Sequence, residues 1–357
     1  MAAASQAERP RRALSDDLDA ILARKPEVWE NLRGASVFVS GGTGWFGRWL
    51  LEAIVHANAR LRTDIRVLAL SRDPAAFARQ APHLAADPAI RFHVGDVRDF
   101  AFPAQRFTHV IHAATTSAHE TFNGESPLNK FDTLVAGTRR VLDFAAEAGV
   151  GHFLFTSSGA AYGPSPRGLP LREDDPVAPD TMDPDTALGQ AKRAAEFLCA
   201  AYARRHGWNL SVARCFAFVG PFMPLDIHYA IGNFIRCALR GEPIIINGDG
   251  SPARSYLYMG DLAAWLMTLL QRQGEAAVFN VGSDRIVTIA ELAHLVRDRL
   301  NPGIEVRVLG RPDASVGNPV RSLYVPDIGR ARAELGLEPW TSLDDAIQFS
   351  ADAFLQA

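Results

Sequence analysis

Three glycines spaced by three, Gly41, Gly44 and Gly47, stand where an apolar run gives way to a helical pattern, ASVFVSGGTGWFGRWLLEAI. In a strand–turn–helix context such glycines allow a tight turn, admit a pyrophosphate close to the backbone, and let helix and strand pack closely. The helix that begins with Trp45 and Phe46 then offers free N–H groups and the positive end of its dipole to phosphate. The implied chemistry is dinucleotide binding.

Further positions fit the same ligand. The run DIRVLALS ends at Ser71, followed by Arg72 and Asp73. At this point a dinucleotide site usually carries an acidic residue for the ribose 2′-hydroxyl. Arg72 instead presents a planar fork of donors suited to a 2′-phosphate. Ser71 and Arg72 therefore point to NADP, with NAD as the alternative if the register brings Asp73 to the ribose. In GDVRD, Asp96 and the backbone of Val97 face the adenine. After the run THVIH, Ala113 and Ala114 are small enough to let backbone lie against the cofactor.

The elements that position these residues follow from the apolar pattern. Short continuous apolar runs alternate with helical periodicity from ASVFVS to LSVARCF. That pattern predicts a parallel sheet covered on both faces. The expected fold class is α/β, a Rossmann doubly wound parallel sheet with a smaller C-terminal substrate-binding lobe. Residues 1–33 are expected to be a tail and helical extension, with Ser15 as an N-cap. Residues 34–220 are expected to form the dinucleotide-binding domain, with returning segments from the C-terminal part, and 221–357 mainly the lobe.

The 357 residues are 48% hydrophobic and 22% charged, with a net charge of −3. This balance gives no electrostatic reason to expect nucleic acid or an anionic membrane as partner. The cysteines Cys199, Cys215 and Cys237 have neither metal-site nor disulfide spacing. No apolar run is long enough to span a bilayer, and the basic N-terminus lacks the apolar stretch of a secretory leader. A cytoplasmic location is expected.

The motifs GGTGWFG, GDVRD, VIHAA, FTSSGAAYG, NGDGSPARSYLYMGDLA and YVPDIGRARAELGLEP, with a lysine-bearing helix, resemble the extended short-chain dehydrogenase/reductases of the NAD(P)-dependent nucleotide-sugar epimerase/dehydratase group. The resemblance runs from about Gly34 to Pro339. It implies that Ser158 hydrogen-bonds the reacting hydroxyl or carbonyl, and that Lys192 binds the nicotinamide ribose and tunes a catalytic tyrosine. It implies that Asn233 and Arg254 contact the diphosphate of a nucleotide-sugar substrate, and that the protein is a homodimer through helices at 127–148 and 184–206. Plainer alternatives stand beside each residue: a strand-end serine, a surface helix cation, a helix cap, and solvated loop cations at Arg72 and Arg254.

One position departs from the group's Tyr-x-x-x-Lys signature. The tyrosine position holds Leu188, four residues before Lys192, and leucine has no proton to transfer. Either redox chemistry is lost, or another group replaces the phenol, or the position has been altered. Tyr162, His228 and Ser158 with a water are the candidates for a replacement. The Asp-Glu pair of the 4,6-dehydratases is Gly159-Ala160 here, and Ala217 and Leu134 replace two asparagines of the group. The expected function is an NAD(P)-dependent epimerase or 4-ketoreductase. The alternatives are a cofactor-binding sensor or partner subunit without redox turnover, and, third, a non-redox isomerase or lyase.

Overall fold

The computed structural model describes residues 12–116, 124–165, 168–225, 229–311 and 322–355. Two helices, α1 (Leu14–Arg24) and α2 (Pro26–Asn31), precede the first strand. Ser15 is not the N-cap expected of it, because α1 already begins at Leu14. The Asp16 carboxylate takes the Ala13 N–H at 3.2 Å instead. A negative charge reaching back over a helix start gains from the dipole as well as from the hydrogen bond.

The chain then alternates. It forms β1 (Ser36–Ser40), α3 (Trp45–Leu61), β2 (Arg66–Ser71), α4 (Pro74–Gln80), α5 (Pro82–Ala86), β3 (Ile90–Val94) and β4 (His109–His112). The second half adds α6 (Pro127–Ala148), β5 (His152–Ser158), α7 (Ala187–His206) and β6 (Asn209–Cys215). These strands pair in parallel, in the order β6-β5-β4-β1-β2-β3. Sheet order reverses between β1 and β4, and the crevice beyond their carboxyl ends is where such sheets bind ligands.

Side-chain alternation assigns the two layers. Val37 and Val39 join one buried cluster with Trp49, Leu50 and Ile54 of α3. Phe38, between them, joins the other with Val141 and Phe144 of α6 and Cys199 of α7. Both faces of the sheet are therefore sealed, as the continuous apolar strands require.

Beyond residue 216 the elements shorten. They are β7 (Phe218–Val219), α8 (Ala230–Arg240), β8 (Ile244–Ile246), β9 (Ala253–Arg254) and β10 (Leu257–Tyr258). Next come α9 (Met259–Gln271) and β11 (Ala277–Val281), which return to the main sheet as β11 pairs with β6. The chain ends through β12 (Val287–Thr288), α10 (Ile289–Leu300), β13 (Val306–Val308), β14 (Leu323–Tyr324), α11 (Gly329–Leu335) and α12 (Leu343–Phe354). Strand β9 lies between β12 and β14, so Arg254 stands opposite Tyr324 in register. The indole N–H groups of Trp45 and Trp49 both donate to the Pro221 carbonyl, at 2.8 and 3.1 Å. This clasp ties the first turns of α3 to the start of the C-terminal segment.

Candidate active site

The turn between β1 and α3 is built by exclusion of side chains. Gly41 has a φ of 78°, and a Cβ there would lie 2.6 Å from the Ala113 carbonyl carbon and 2.7 Å from the Ala114 nitrogen. The backbone after β4 thus presses directly on the glycine turn. A Cβ at Gly47 would lie 2.3 Å from the Gly41 oxygen. Gly44 differs, since its Cβ position meets only the Gly41 oxygen at 3.4 Å and otherwise faces open space. As the N-cap of α3, Gly44 has no side chain with which to cap the helix. The first N–H groups of a long helix are thereby left for a ligand, which fits a pyrophosphate.

The turn after β2 is equally specific. β2 ends at Ser71, whose hydroxyl lies 3.3 Å from that of Thr43 in the glycine turn. Arg72 follows on the surface, near enough to Asp96 to help hold its carboxyl below the usual range. The larger cause of that lowering is Arg98, which donates to Asp96 from both guanidinium and backbone. Asp73 is occupied elsewhere. Its carboxylate accepts the Ala76 N–H at 2.9 Å and caps α4. Val97 packs its side chain where a Cβ on Gly137 would stand, 2.8 Å away.

Beneath the turn lies a buried polar chain. His112 bridges Ser40 Oγ (2.6 Å from Nδ1) and Thr138 Oγ1 (2.9 Å from Nε2), joining β1, β4 and α6. Burial, reinforced by the nearby Lys192 ammonium, pushes its pKa down to about 3. The Thr156 hydroxyl donates to the His112 carbonyl at 3.2 Å. Lys192 Nζ donates to the Thr156 carbonyl at 2.7 Å and lies 4.8 Å from the Phe155 ring centre. Burial lowers the lysine to about 8.

Ser158 sits at the carboxyl end of β5 and caps the tight turn 159–162, its Oγ accepting the Ala160 N–H at 3.1 Å. Its neighbour Ser157 donates to Glu196 of α7 at 2.5 Å, and Arg214 of β6 grips the same carboxylate at 2.7 and 3.0 Å. This charge-assisted fork fixes β5, β6 and α7 relative to one another. Leu188 is half-buried in the first turn of α7. Its neighbour Gly189 packs on that same turn, where a Cβ would lie 2.4 Å from the Ala160 oxygen.

Tyr162 is turned away. It is fully buried, and its hydroxyl donates to Asn280 Oδ1 at 2.7 Å while Arg214 stacks over its ring. Burial raises it to about 12. His228 lies outside the described residues. Arg254 Nη1 donates to the carbonyls of Ala253 and Ser322 at 2.8 and 2.9 Å, leaving the rest of its fork at the edge of β9. Asn233 is half-buried on α8.

The sequence reading missed Tyr324. Its ring packs on Phe216 (centroids 4.8 Å apart), and Arg254 lies 5.8 Å above it. Its hydroxyl oxygen lies at the end of β5, 2.7 Å from where a Cβ on Gly159 would stand, and Ser158 and the Ala160 N–H favour its ionised form against burial. The signal was present, since Tyr324 opens the motif YVPDIGRARAELGLEP, but nothing local tied that motif to Ser158.

Among the described residues there is no helix long and apolar enough to cross a membrane, and no cluster of metal-ligating side chains. The three cysteines are free.

Residues 37–282 match the family described as the NAD dependent epimerase/dehydratase family. UDP-glucuronic acid decarboxylase 5 of Arabidopsis thaliana is 31% identical over 245 residues, 68% of this chain and 69% of the relative. UDP-glucuronic acid decarboxylase 2 of the same plant is 29% identical over 325 residues, 91% of this chain and 69% of the relative. Among solved structures, UDP-glucose 4-epimerase of Thermotoga maritima with UDP-glucose aligns with a TM-score of 0.74 at 22% identity, covering 90% of this chain and 99% of that one. UDP-glucuronic acid 4-epimerase of Bacillus cereus with UDP-glucuronic acid and NAD aligns with the same score at 20% identity, again over 90% and 99%.

Proposed function

Because the chain belongs to the NAD dependent epimerase/dehydratase family, we propose that it is an NAD(P)-dependent epimerase or 4-ketoreductase acting on a nucleotide-activated sugar. The observation that carries this reading is the meeting of three parts at one sheet edge. The glycine turn follows β1, Ser158 closes β5, and Arg254 overhangs from β9 beside Tyr324.

The dinucleotide, when bound, supplies the hydride carrier. Gly41, Gly44 and Gly47 let its phosphates reach the N–H groups of α3. Lys192 holds the ribose next to the nicotinamide, and Ser158 Oγ orients the reacting sugar oxygen. Arg254, with Asn233 on α8, pairs with the diphosphate. Residues beyond 221 therefore act mainly as the substrate lobe. Ser71 and Arg72 favour NADP over NAD, because the guanidinium directly follows β2 while Asp73, one residue further on, turns its Oδ1 to the Ala76 N–H at the start of α4. The pair of helices α6 and α7 carries the exposed side chains Leu128 and Phe197, and we assign that face to a homodimer.

The test is a panel of UDP-, GDP-, CDP- and dTDP-sugars, read by the near-ultraviolet band of reduced nicotinamide and by calorimetric binding. Turnover of one of them supports the reading. Absence of both binding and turnover across the panel sinks it.

Leu188 favours a second reading, a cofactor-binding subunit without redox turnover. Under that reading the parent protein is inactive and L188Y gains strong activity.

A further inference from the structure

Resting on the proposed sugar chemistry, we propose that the phenol of Tyr324 is the proton-transferring group of this site and works through Ser158. Moving a hydride to or from a carbinol carbon obliges the attached oxygen to lose or gain a proton. Leu188, one helical turn before Lys192, offers none. All six tyrosines lie among the described residues. Tyr162 is bonded to Asn280 in the core, Tyr202 to Asp143 on the outer helices, and Tyr258 to Asp17 beneath α1. The Tyr324 hydroxyl lies at the Ser158–Gly159 end of β5, where a Cβ on Gly159 would meet it at 2.7 Å, and Ser158 acts on it.

The surroundings make room for that placement. A Cβ on Gly159 would lie 2.7 Å from the Tyr324 hydroxyl oxygen and 2.8 Å from the Phe216 ring. Glycine at 159 is therefore what admits the phenol to the end of β5. Strand pairing supplies the other constraint, setting Tyr324 opposite Arg254 across β9 and β14. One strand pair thus carries both the diphosphate-binding cation and the proton-transferring phenol.

The step balances simply. In the reducing direction, a bound reduced nicotinamide would supply the hydride to the carbonyl carbon of a keto sugar. The carbonyl π pair takes a proton from Ser158 Oγ, and Ser158 recovers one from Tyr324 Oη, leaving phenolate. In the oxidising direction the hydroxyl O–H and carbinol C–H bonds break. The proton travels back through Ser158 to the phenolate, and a bound oxidised nicotinamide would accept the hydride. Burial raises Tyr324 to about 12, against the pull of Ser158, Arg254 and the Ala160 N–H. At neutral pH the resting phenol is therefore protonated, poised to reduce a keto sugar.

The experiment compares the parent, Y324F and the double variant L188Y/Y324F, using the sugar that the parent turns over. Y324F removes one oxygen atom, and its thermal midpoint checks that the fold is intact. The expected result is a fall in kcat on the order of a hundredfold or more, with KM and the calorimetric affinity for the sugar changed less than about threefold. An ultraviolet titration of the free protein should lose one tyrosine ionising near 12. L188Y/Y324F should recover at least about tenfold of the lost rate, because a phenol returns one turn before Lys192. An active parent whose kcat survives in Y324F overturns this proposal and leaves the sugar chemistry standing. A parent that turns over no sugar overturns both.

Discussion

Lys192 and Thr156 are joined by a buried hydrogen bond, Nζ to carbonyl oxygen at 2.7 Å, which anchors the ammonium of α7 to the end of β5. The bond helps explain how a lysine can be almost wholly buried with no carboxylate in salt-bridge contact among the described residues. It leaves the ammonium beside the chain of His112 and Thr138 that underlies the glycine turn. Position has been obtained at the expense of solvation.

That expense predicts an unusual pH dependence. Burial depresses Lys192 from 10.5 to about 8, so between these values the unfolded chain holds more protons than the folded one. Stability contributed by this group therefore rises as pH rises from about 8 to 10.5, and below 8 the full penalty applies, on the order of 3 kcal/mol. Replacing Lys192 with methionine removes the penalty and forfeits one hydrogen bond of about 1 kcal/mol. We expect K192M at pH 7 to melt no lower than the parent while binding the dinucleotide at least about tenfold more weakly. The stability gap between the two should narrow toward pH 10. Denaturant midpoints at several pH values, with cofactor titration, measure both; a K192M that is less stable at pH 7 contradicts the account.

The glycine turn yields a contrast between two substitutions of the same size. A methyl group at Gly47 would sit 2.3 Å from the Gly41 oxygen and 2.4 Å from the Gly42 carbonyl carbon, and both partners are backbone. G47A should cost about 1–3 kcal/mol or more, as overpacking does, and abolish measurable cofactor binding. A methyl group at Gly44 meets one atom at ordinary contact distance, and its φ of −83° suits any residue. G44A should leave the melting temperature nearly unchanged and still weaken the dinucleotide, because the methyl enters the space left for phosphate. If G44A bound cofactor as the parent does, that space would not be the pyrophosphate site.

Why this turn was readable and Tyr324 was not has a physical answer. Apart from the edge strand β3, strands β1 to β6 are buried on both faces, so most of their length is apolar and marks itself. The helices between them bury one stripe and show its period. Strands such as β9 and β14 are two residues long and carry no period at all. Arg254 and Tyr324 are 70 positions apart and meet only through that pairing. Ser15 failed as a cap for a smaller reason, the competition of an adjacent aspartate. Leu188 was visible at once because an expected side chain was missing. Its replacement comes from a distant segment, and only tertiary structure brings it near.

Cofactor choice depends on Arg72 in this reading. With Asp73 held by the Ala76 N–H, the parent should bind NADP more tightly than NAD. R72A should lose affinity for NADP by about tenfold, the worth of one charge-assisted contact of about 1.5 kcal/mol, and keep its affinity for NAD. Paired calorimetric titrations decide the matter; equal losses for both dinucleotides would show that Arg72 does not touch the 2′ position.

At the opposite, amino-terminal edge of the sheet, His109 and His152 stack with ring centres 4.6 Å apart. Burial, with a smaller contribution from the His152 charge, lowers His109 to about 4, and burial lowers His152 as well. His112, near 3, sits three residues further along β4. A histidine kept neutral by folding binds its proton more readily in the unfolded chain. Its contribution is therefore complete above about pH 6.5, the ordinary imidazole value, and is lost as pH falls toward 4. His109 alone should remove on the order of 2 kcal/mol by pH 4.5. Glutamine at 109 and 152 keeps polar groups for Gln271 and the Leu270 carbonyl, their present partners, and removes the titration. The double variant H109Q/H152Q should lose less stability than the parent between pH 7 and pH 4.5, measured as the shift in urea midpoint. Equal acid losses in the two proteins would mean that these buried imidazoles do not set the acid limit.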